Sequence, residues 1–344
     1  MRYRFVLLFL LFLSLVFTGC GAKDVGQVNV EEALSLPEKH YPVGFDPYGK
    51  RILLAVLGNE GAKLELYSIE NKEIEIAVEP AINGKSIKNA VTDGKYIAWV
   101  EATDGNGMWS DDWRIYVKNL KSGEIKKVGE SRFVEKGVSE GQFSVEPKLS
   151  IDDGKLVWST YESDGRHEFG SIKLYDLVNG TEINLRTSEG RNISRFSDPN
   201  IHGDYVVWSE GNLKAGSGTK EVYLCSIKEN KIYKLSDKGI SPNIWGSSVV
   251  WIEGNNKLVL YNIKNKREVK IPTYSREVWA ISLNKDYVTW YSSEYNMKVY
   301  NIQKNDTQII DVPVISGPNI YGEILTWVQE EDKRAIPKFL LLYK

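Results

Sequence analysis

The feature that most constrains this chain is a phrase that keeps returning along it. It reads Pro199-Asn-Ile-His-Gly203-Asp-Tyr-Val-Val-Trp208, then Pro242-Asn-Ile-Trp-Gly246-Ser-Ser-Val-Val-Trp251, then Pro318-Asn-Ile-Tyr-Gly322-Glu-Ile-Leu-Thr-Trp327. Looser copies end at Trp99, Trp158 and Trp290, and the earliest ends at Leu54 where the others place Trp. A second phrase follows, as in Leu66-Tyr-Ser-Ile69, Leu174-Tyr-Asp-Leu177, Leu260-Tyr-Asn-Ile263 and Val299-Tyr-Asn-Ile302. A polar turn and another short apolar stretch come next, as in Asn179-Gly-Thr-Glu-Ile183.

Each repeat therefore reads as four short strands. Alternation of apolar and polar positions, β-branched and aromatic enrichment, and Gly/Asn/Asp turns all favour strand over helix. Anchors at 54, 99, 158, 208, 251, 290 and 327 give units of about 37–59 residues, the period of propeller blades. The expected fold is all-β, a β-propeller of about seven four-stranded blades, with the Trp and Tyr packed as large flat residues between neighbouring sheets. The last repeat stops after its third strand, at Lys344. An open ring would leave an unpaired edge, so residues about 28–36 are expected to supply the missing strand of the last blade. Cys225, inside the apolar strand Val222-Tyr-Leu-Cys-Ser-Ile227, reads as a buried small hydrophobe.

The first twenty residues stand outside this pattern. A basic start, Met1-Arg-Tyr-Arg4, precedes the apolar run Phe5–Phe17, which is short for a membrane span but right for a signal-peptide core. Phe17-Thr-Gly-Cys20 resembles the lipobox of prokaryotic lipoproteins, with Phe17 where an aliphatic residue is usual. The resemblance implies a signal peptide over 1–20, lipidation of Cys20, a tether over 21–32 and one propeller domain over 33–344. It also implies a lipid anchor on the extracytoplasmic side of a membrane, in the periplasm or at the cell surface. Cleaved secretion and an uncleaved anchor are the competing outcomes.

The phrases Thr92-Asp-Gly-Lys-Tyr-Ile-Ala-Trp99 and Ile151-Asp-Asp-Gly-Lys-Leu-Val-Trp158 resemble the repeats of TolB-like propellers, and the likeness runs over roughly 40–344. It implies a fold and a cell-envelope setting. It does not select a function, because one architecture hosts many. Seven repeats, and no separate N-terminal domain, depart from TolB itself.

Function must therefore come from what the repeat does not explain. A formal net charge of −2 supplies no basic excess to displace phosphate counterions, which excludes nucleic acid as a partner class. The three His, at 40, 167 and 202, have no metal-ligand spacing, and no nucleophile elbow, zinc-protease motif or phosphate loop occurs. No cofactor and no metal are expected. The anchor spacing widens to 59 and 50 residues around Trp158, against 43, 39 and 37 later. The extra length falls in Thr103–Asp112, Gly129–Glu146, Ser159–Gly170, Arg186–Asp198 and Glu210–Lys220, all on one face over blades 2–4, where recognition loops on a rigid scaffold belong.

Two of these loops hold the candidate residues. Trp109, Asp111, Asp112 and Trp113 suggest an aromatic platform with carboxylates beside it; the competing reading is a solvated hairpin with Trp113 starting a strand. Tyr161, Arg166, His167 and Glu168 suggest an acid/base or recognition set; the competing reading is a charged turn. Asp104-Gly-Asn106 begins like a calcium loop, but Met108 stands where an oxygen ligand is needed. The expected function is a non-enzymatic, envelope-anchored propeller that binds or scaffolds a protein partner or a cell-surface polysaccharide through these loops. The alternative is a carbohydrate-active enzyme, a polysaccharide lyase or glycoside hydrolase, on the same scaffold.

Overall fold

The computed structural model describes residues 28–37, 39–46, 50–58, 61–81, 86–102, 112–132, 142–190, 194–212 and 220–342. Among them are seven antiparallel sheets in chain order, each a meander from an innermost first strand to an outermost fourth. Blade 1, for example, runs His40–Asp46, Arg51–Gly58, Gly61–Ser68 and Glu73–Val78. The ring closes as expected. Leu34–Ser35 pairs with the third strand of blade 7, Arg334–Leu341, in the register Leu34↔Phe339 and Ser35↔Lys338. Leu36 adds an N–H to the Pro337 carbonyl at 2.9 Å. Further back, Val28 is clasped by blade 6: its N–H donates to Gln308 Oε1 (2.9 Å) and its carbonyl accepts from Gln308 Nε2 (2.8 Å).

The core is divided into seven, one between each pair of neighbouring sheets. On the second strand of blade 4, Val206 and Trp208 face Val157, Ile172 and Leu174 of blade 3, while Val207 between them faces Ile244, Val249 and Trp251 of blade 5. The two-residue period of a strand makes this split automatic. The six anchor tryptophans are at most 2% exposed. Leu54 of blade 1 fills its place differently. At the closing interface it packs with Ile52, Leu36, Ile324 and Phe339, and the Phe339 ring from blade 7 supplies the volume that a Trp supplies elsewhere. Trp99 and Trp327 donate their indole N–H to Glu101 (2.6 Å) and Gln329 (2.7 Å), two residues on. Those of Trp158, Trp208, Trp251 and Trp290 are buried without a hydrogen-bond partner, and nothing in the packing explains it. Cys225 is buried, and burial pushes its thiol up to about 11, which leaves it an inert packing group.

The recurring proline has a local reason. In every blade the first strand is interrupted at one level. In blades 1, 2, 5, 6 and 7 the register shifts there. In blades 3 and 4 the strand breaks in two, Gln142–Ser144 with Leu149–Asp152 and Ser194–Phe196 with Asn200–His202. Pro42, Pro147, Pro199, Pro242 and Pro318 sit at or beside these interruptions, where a residue without an N–H takes nothing from the ladder. Below the interruption, side chains tie neighbouring first strands together. Leu149 N–H donates to Asn89 Oδ1 (2.8 Å), and Ile201 N–H to Ser150 Oγ (3.2 Å). Gly154 and Gly203 donate theirs to the Asp93 and Asp152 carboxylates at 2.7 and 2.6 Å.

Candidate functional site

The meander topology gives the ring two unlike faces. The upper face carries the hairpins between second and third strands and the passages from one blade to the next. The lower face carries the tight turns between first and second, and between third and fourth, strands. The broken first strands make blades 3 and 4 the only five-stranded sheets among the described residues, and their extra strands lie on the upper face. Gln142–Ser144 pairs with residues 162–164 and Ser194–Phe196 with residues 210–212, so in both blades the upper piece of the split first strand lines the hairpin of the second and third strands, and blade 3 has the longest such hairpin among the described residues.

The structure places Tyr161, Arg166, His167 and Glu168 in one hairpin of blade 3. Tyr161 and Glu168 lie in the rising hairpin of blade 3, Lys155–Asp164 with Glu168–Asp176. Arg195 of blade 4 lays its guanidinium over the Tyr161 ring (4.2 Å) and donates to its hydroxyl (2.7 Å). Burial first, and the nearby Glu168 carboxylate, raise the Tyr161 hydroxyl above its usual range. Arg166 and His167 belong to the turn at the tip. Asp164 Oδ1 accepts both of their backbone N–H groups (2.8 and 2.7 Å), and these bonds hold its carboxyl below the usual range. The His167 ring stands 3.8 Å from the same carboxylate and is about half exposed. Tyr161 and Glu168 thus join Arg195, while Arg166 and His167 form a solvent-facing Asx turn.

Trp113 departs from the surface role expected of it. It is 1% exposed, packs between blades 2 and 3, and donates its indole N–H to Ser144 Oγ (2.7 Å). It stands immediately before the strand Arg114–Asn119, so an apolar residue at that point is drawn inward. Asp112 beside it is half-buried; Trp109, Asp111 and Cys20 lie outside the described residues. Sequence reasoning missed Arg132, Arg186 and Arg195. Arg132 stacks on Phe169 (4.0 Å) and pairs with the buried Glu162 (3.0 Å), and Arg186 forks onto Glu210 (3.0 and 2.9 Å). Each spans two strands that only the fold brings together.

The lower face holds a cavity of about 580 Å³ at the mouth of the ring, lined by Asp46, Arg51, Asp93, Lys95, Asp152 and His202 among others. Its charges are largely spent internally. Arg51 pairs with Asp46 (2.7 Å) and donates to the Gly94 carbonyl (2.9 Å), and Lys95 pairs with Asp153 (2.7 Å). Gly94, at φ +85°, is required here, since a Cβ would fall 2.4 Å from the Asp46 carboxylate. One side of the mouth is bridged. The His202 ring meets Trp245 (4.4 Å), Trp245 meets Tyr321 edge-on (4.7 Å), and the Tyr321 hydroxyl reaches Asp152 Oδ1 at 3.4 Å, joining blade 7 to blade 3. Burial pushes His202 below the usual histidine range against the pull of the Asp152 carboxylate. The signal for this group was visible in the repeat: Asp46, Asp152, His202, Trp245 and Tyr321 end their first strands, a variable position in an otherwise constant phrase.

No protein-family profile and no curated protein matches the sequence. Solved structures do match. An oligogalacturonate lyase in complex with manganese is 11% identical, with TM-score 0.57 over 89% of this chain and 91% of its own. An oligogalacturonate lyase from Vibrio parahaemolyticus is 12% identical, with TM-score 0.54 over 90% and 91%. The computationally designed protein Ika8 is 12% identical, with TM-score 0.50 over 89% and 98%. The likeness is one of fold. Among the described residues no three His, Cys, Asp or Glu side chains are grouped so as to hold a metal ion, so the described part of this chain does not fit a manganese centre.

Proposed function

We propose that this chain is an envelope-tethered binding propeller that engages a protein partner or a cell-surface polysaccharide through the upper face of blades 3 and 4. The observation that carries this is the bridge between these blades: Arg195, on the upper piece of the split first strand of blade 4, stacks on and donates to Tyr161 of the long blade 3 hairpin, with Glu168 beside it and Arg166 and His167 at the tip. Arginines stacked on aromatic rings are preformed, low-entropy anchors of the kind that dominate binding surfaces. The Cys20 motif, by its resemblance to lipoproteins, supports the tether.

A second reading, a carbohydrate-active enzyme, is favoured by one finding: two of the propellers that align with about nine-tenths of this chain are oligogalacturonate lyases. One experiment separates the two. Purified propeller is incubated with oligogalacturonides, with and without Mn²⁺, and with immobilised envelope fractions. Binding without turnover is expected, and replacing the tip Ser163–His167 by a two-residue turn should abolish it while leaving the thermal transition in place. Unsaturated products that disappear in Arg166→Ala or His167→Ala would reverse the reading.

A further inference from the structure

Blade 6 carries, on the same upper face, an aromatic group that packing only partly covers: Tyr291 leans on the core between blades 6 and 7, Trp279 is half-buried, and Tyr295 is left in water. Trp279, on the innermost strand, faces Tyr291 across the ladder, with ring centroids 5.3 Å apart and planes at 66°. Tyr295, in the hairpin turn that follows, meets the same indole at 6.1 Å and 64°. Tyr295 is 63% exposed, and Tyr274, in the passage leading into the blade, is 69% exposed. Burying an aromatic ring is among the largest favourable terms a chain has, so rings left in water on a rigid scaffold call for another reason.

The backbone is bent to hold them there. Tyr274 and Tyr295 have φ of 52° and 56°, and Ala280, in the bulge beneath Trp279, has φ of 44°. The left-handed region is unfavourable for side chains of this bulk, and such strain persists where surrounding structure over-determines it. Here the fastening is visible. Lys298 is 1% exposed, and its ammonium donates to Ser292 Oγ (2.9 Å) and to Ser275 Oγ, while Glu294 Oε2 stands 3.3 Å away. The Ser292 hydroxyl in turn donates to Glu294 Oε2 at 2.5 Å, and Arg276 N–H reaches Glu294 Oε1 at 3.4 Å. One buried cation thus pins the Tyr274-Ser275 passage to the Glu294-Tyr295 turn, and both exposed tyrosines are carried on pinned segments.

From this geometry we infer that the upper face of blade 6 is a binding platform for the sugar ring of a neutral polysaccharide. A pyranose presents a flat C–H face and a rim of hydroxyls. The Trp279–Tyr291–Tyr295 group offers a fixed aromatic surface, and the exposed side chains of Arg276 and Glu277 near it offer a donor and an acceptor for the rim. Arg276 and Glu277, both exposed, balance one another, and Glu294 is paired with Lys298, so the platform carries no net charge with which to hold a uronate or other polyanion. The site is distinct from the Tyr161–Arg195 group of blades 3 and 4, and each is tested by its own variants.

Isothermal titration and tryptophan fluorescence against cellohexaose, xylohexaose, mannohexaose and chitohexaose, with polygalacturonate and a polyproline peptide beside them, test the platform. At least one neutral hexasaccharide is expected to bind in the micromolar-to-millimolar range and to perturb the fluorescence. Polygalacturonate should not bind at this site. Tyr295→Ala removes an exposed ring, keeps the fold, and should weaken binding at least tenfold; Trp279→Ala should do the same and remove the fluorescence change. Failure of every neutral sugar to bind overturns the inference, as does unchanged affinity in Tyr295→Ala or a preference for the peptide.

Discussion

Lys298 shows how one residue can organise a surface. A buried ammonium must be paired and hydrogen-bonded, and its partners come from two segments that are not neighbours in sequence. Beside it, the Ser292 hydroxyl above all, with Ser275 and the Arg276 backbone, lowers Glu294 to about 2. A carboxylate held below its unfolded value of roughly 4.3 stabilises the fold above that value, and loses this contribution as pH falls through its folded pKa. Glu294→Gln should therefore lower the thermal midpoint at pH 7, and the gap to the parent should shrink between pH 5 and 2. A gap constant over that window, followed by calorimetry, would refute the assignment. None of this was legible in sequence, since Tyr295 and Lys298 look like ordinary polar and strand positions. The anchor tryptophans were legible because burial at each inter-blade interface demands the same large residue at the same step. Trp113 misled because a tryptophan beside two aspartates looks like a surface group until the strand it precedes is placed against blade 3.

At the level of elements, the strand that closes the ring is the shortest among the described residues. Two paired residues contribute little ladder energy, and the closure rests on side chains. Leu36 is 5% exposed and joins Ile52, Leu54, Ile324 and Phe339, whereas Leu34 is 50% exposed. Leu36→Ala should cost roughly 2–5 kcal/mol, the usual range for a buried leucine, and Leu34→Ala well under half of that; urea denaturation distinguishes them. Equal effects would mean that pairing, not packing, closes the ring. The closing segment could be predicted because a missing fourth strand is a countable defect. The splitting of the first strand in blades 3 and 4 could not, because loop length alone does not say whether inserted residues extend a sheet or leave it.

For the whole molecule, the two faces divide the work. The lower face is knitted by short turns and inter-blade hydrogen bonds. The upper face carries the blade 3 hairpin with its Arg195 bridge and the blade 6 platform. Which face meets a partner depends on how the ring is held, and the proposed tether through Cys20 would attach it at the N-terminal end. Cys20→Ala should shift the protein from the detergent phase to the aqueous phase on Triton X-114 partitioning and abolish incorporation of a labelled fatty acid. Unchanged partitioning would remove the lipid from the account.

Val28 adds a mechanical consequence. A pull on the N-terminal segment arrives first at the two hydrogen bonds between Val28 and Gln308, which belong to blade 6. Only after they part does the load reach Leu34–Ser35 on blade 7. The clasp acts as a strain relief: tension is spread over two adjacent sheets, and the closing strand is shielded from being peeled away one hydrogen bond at a time.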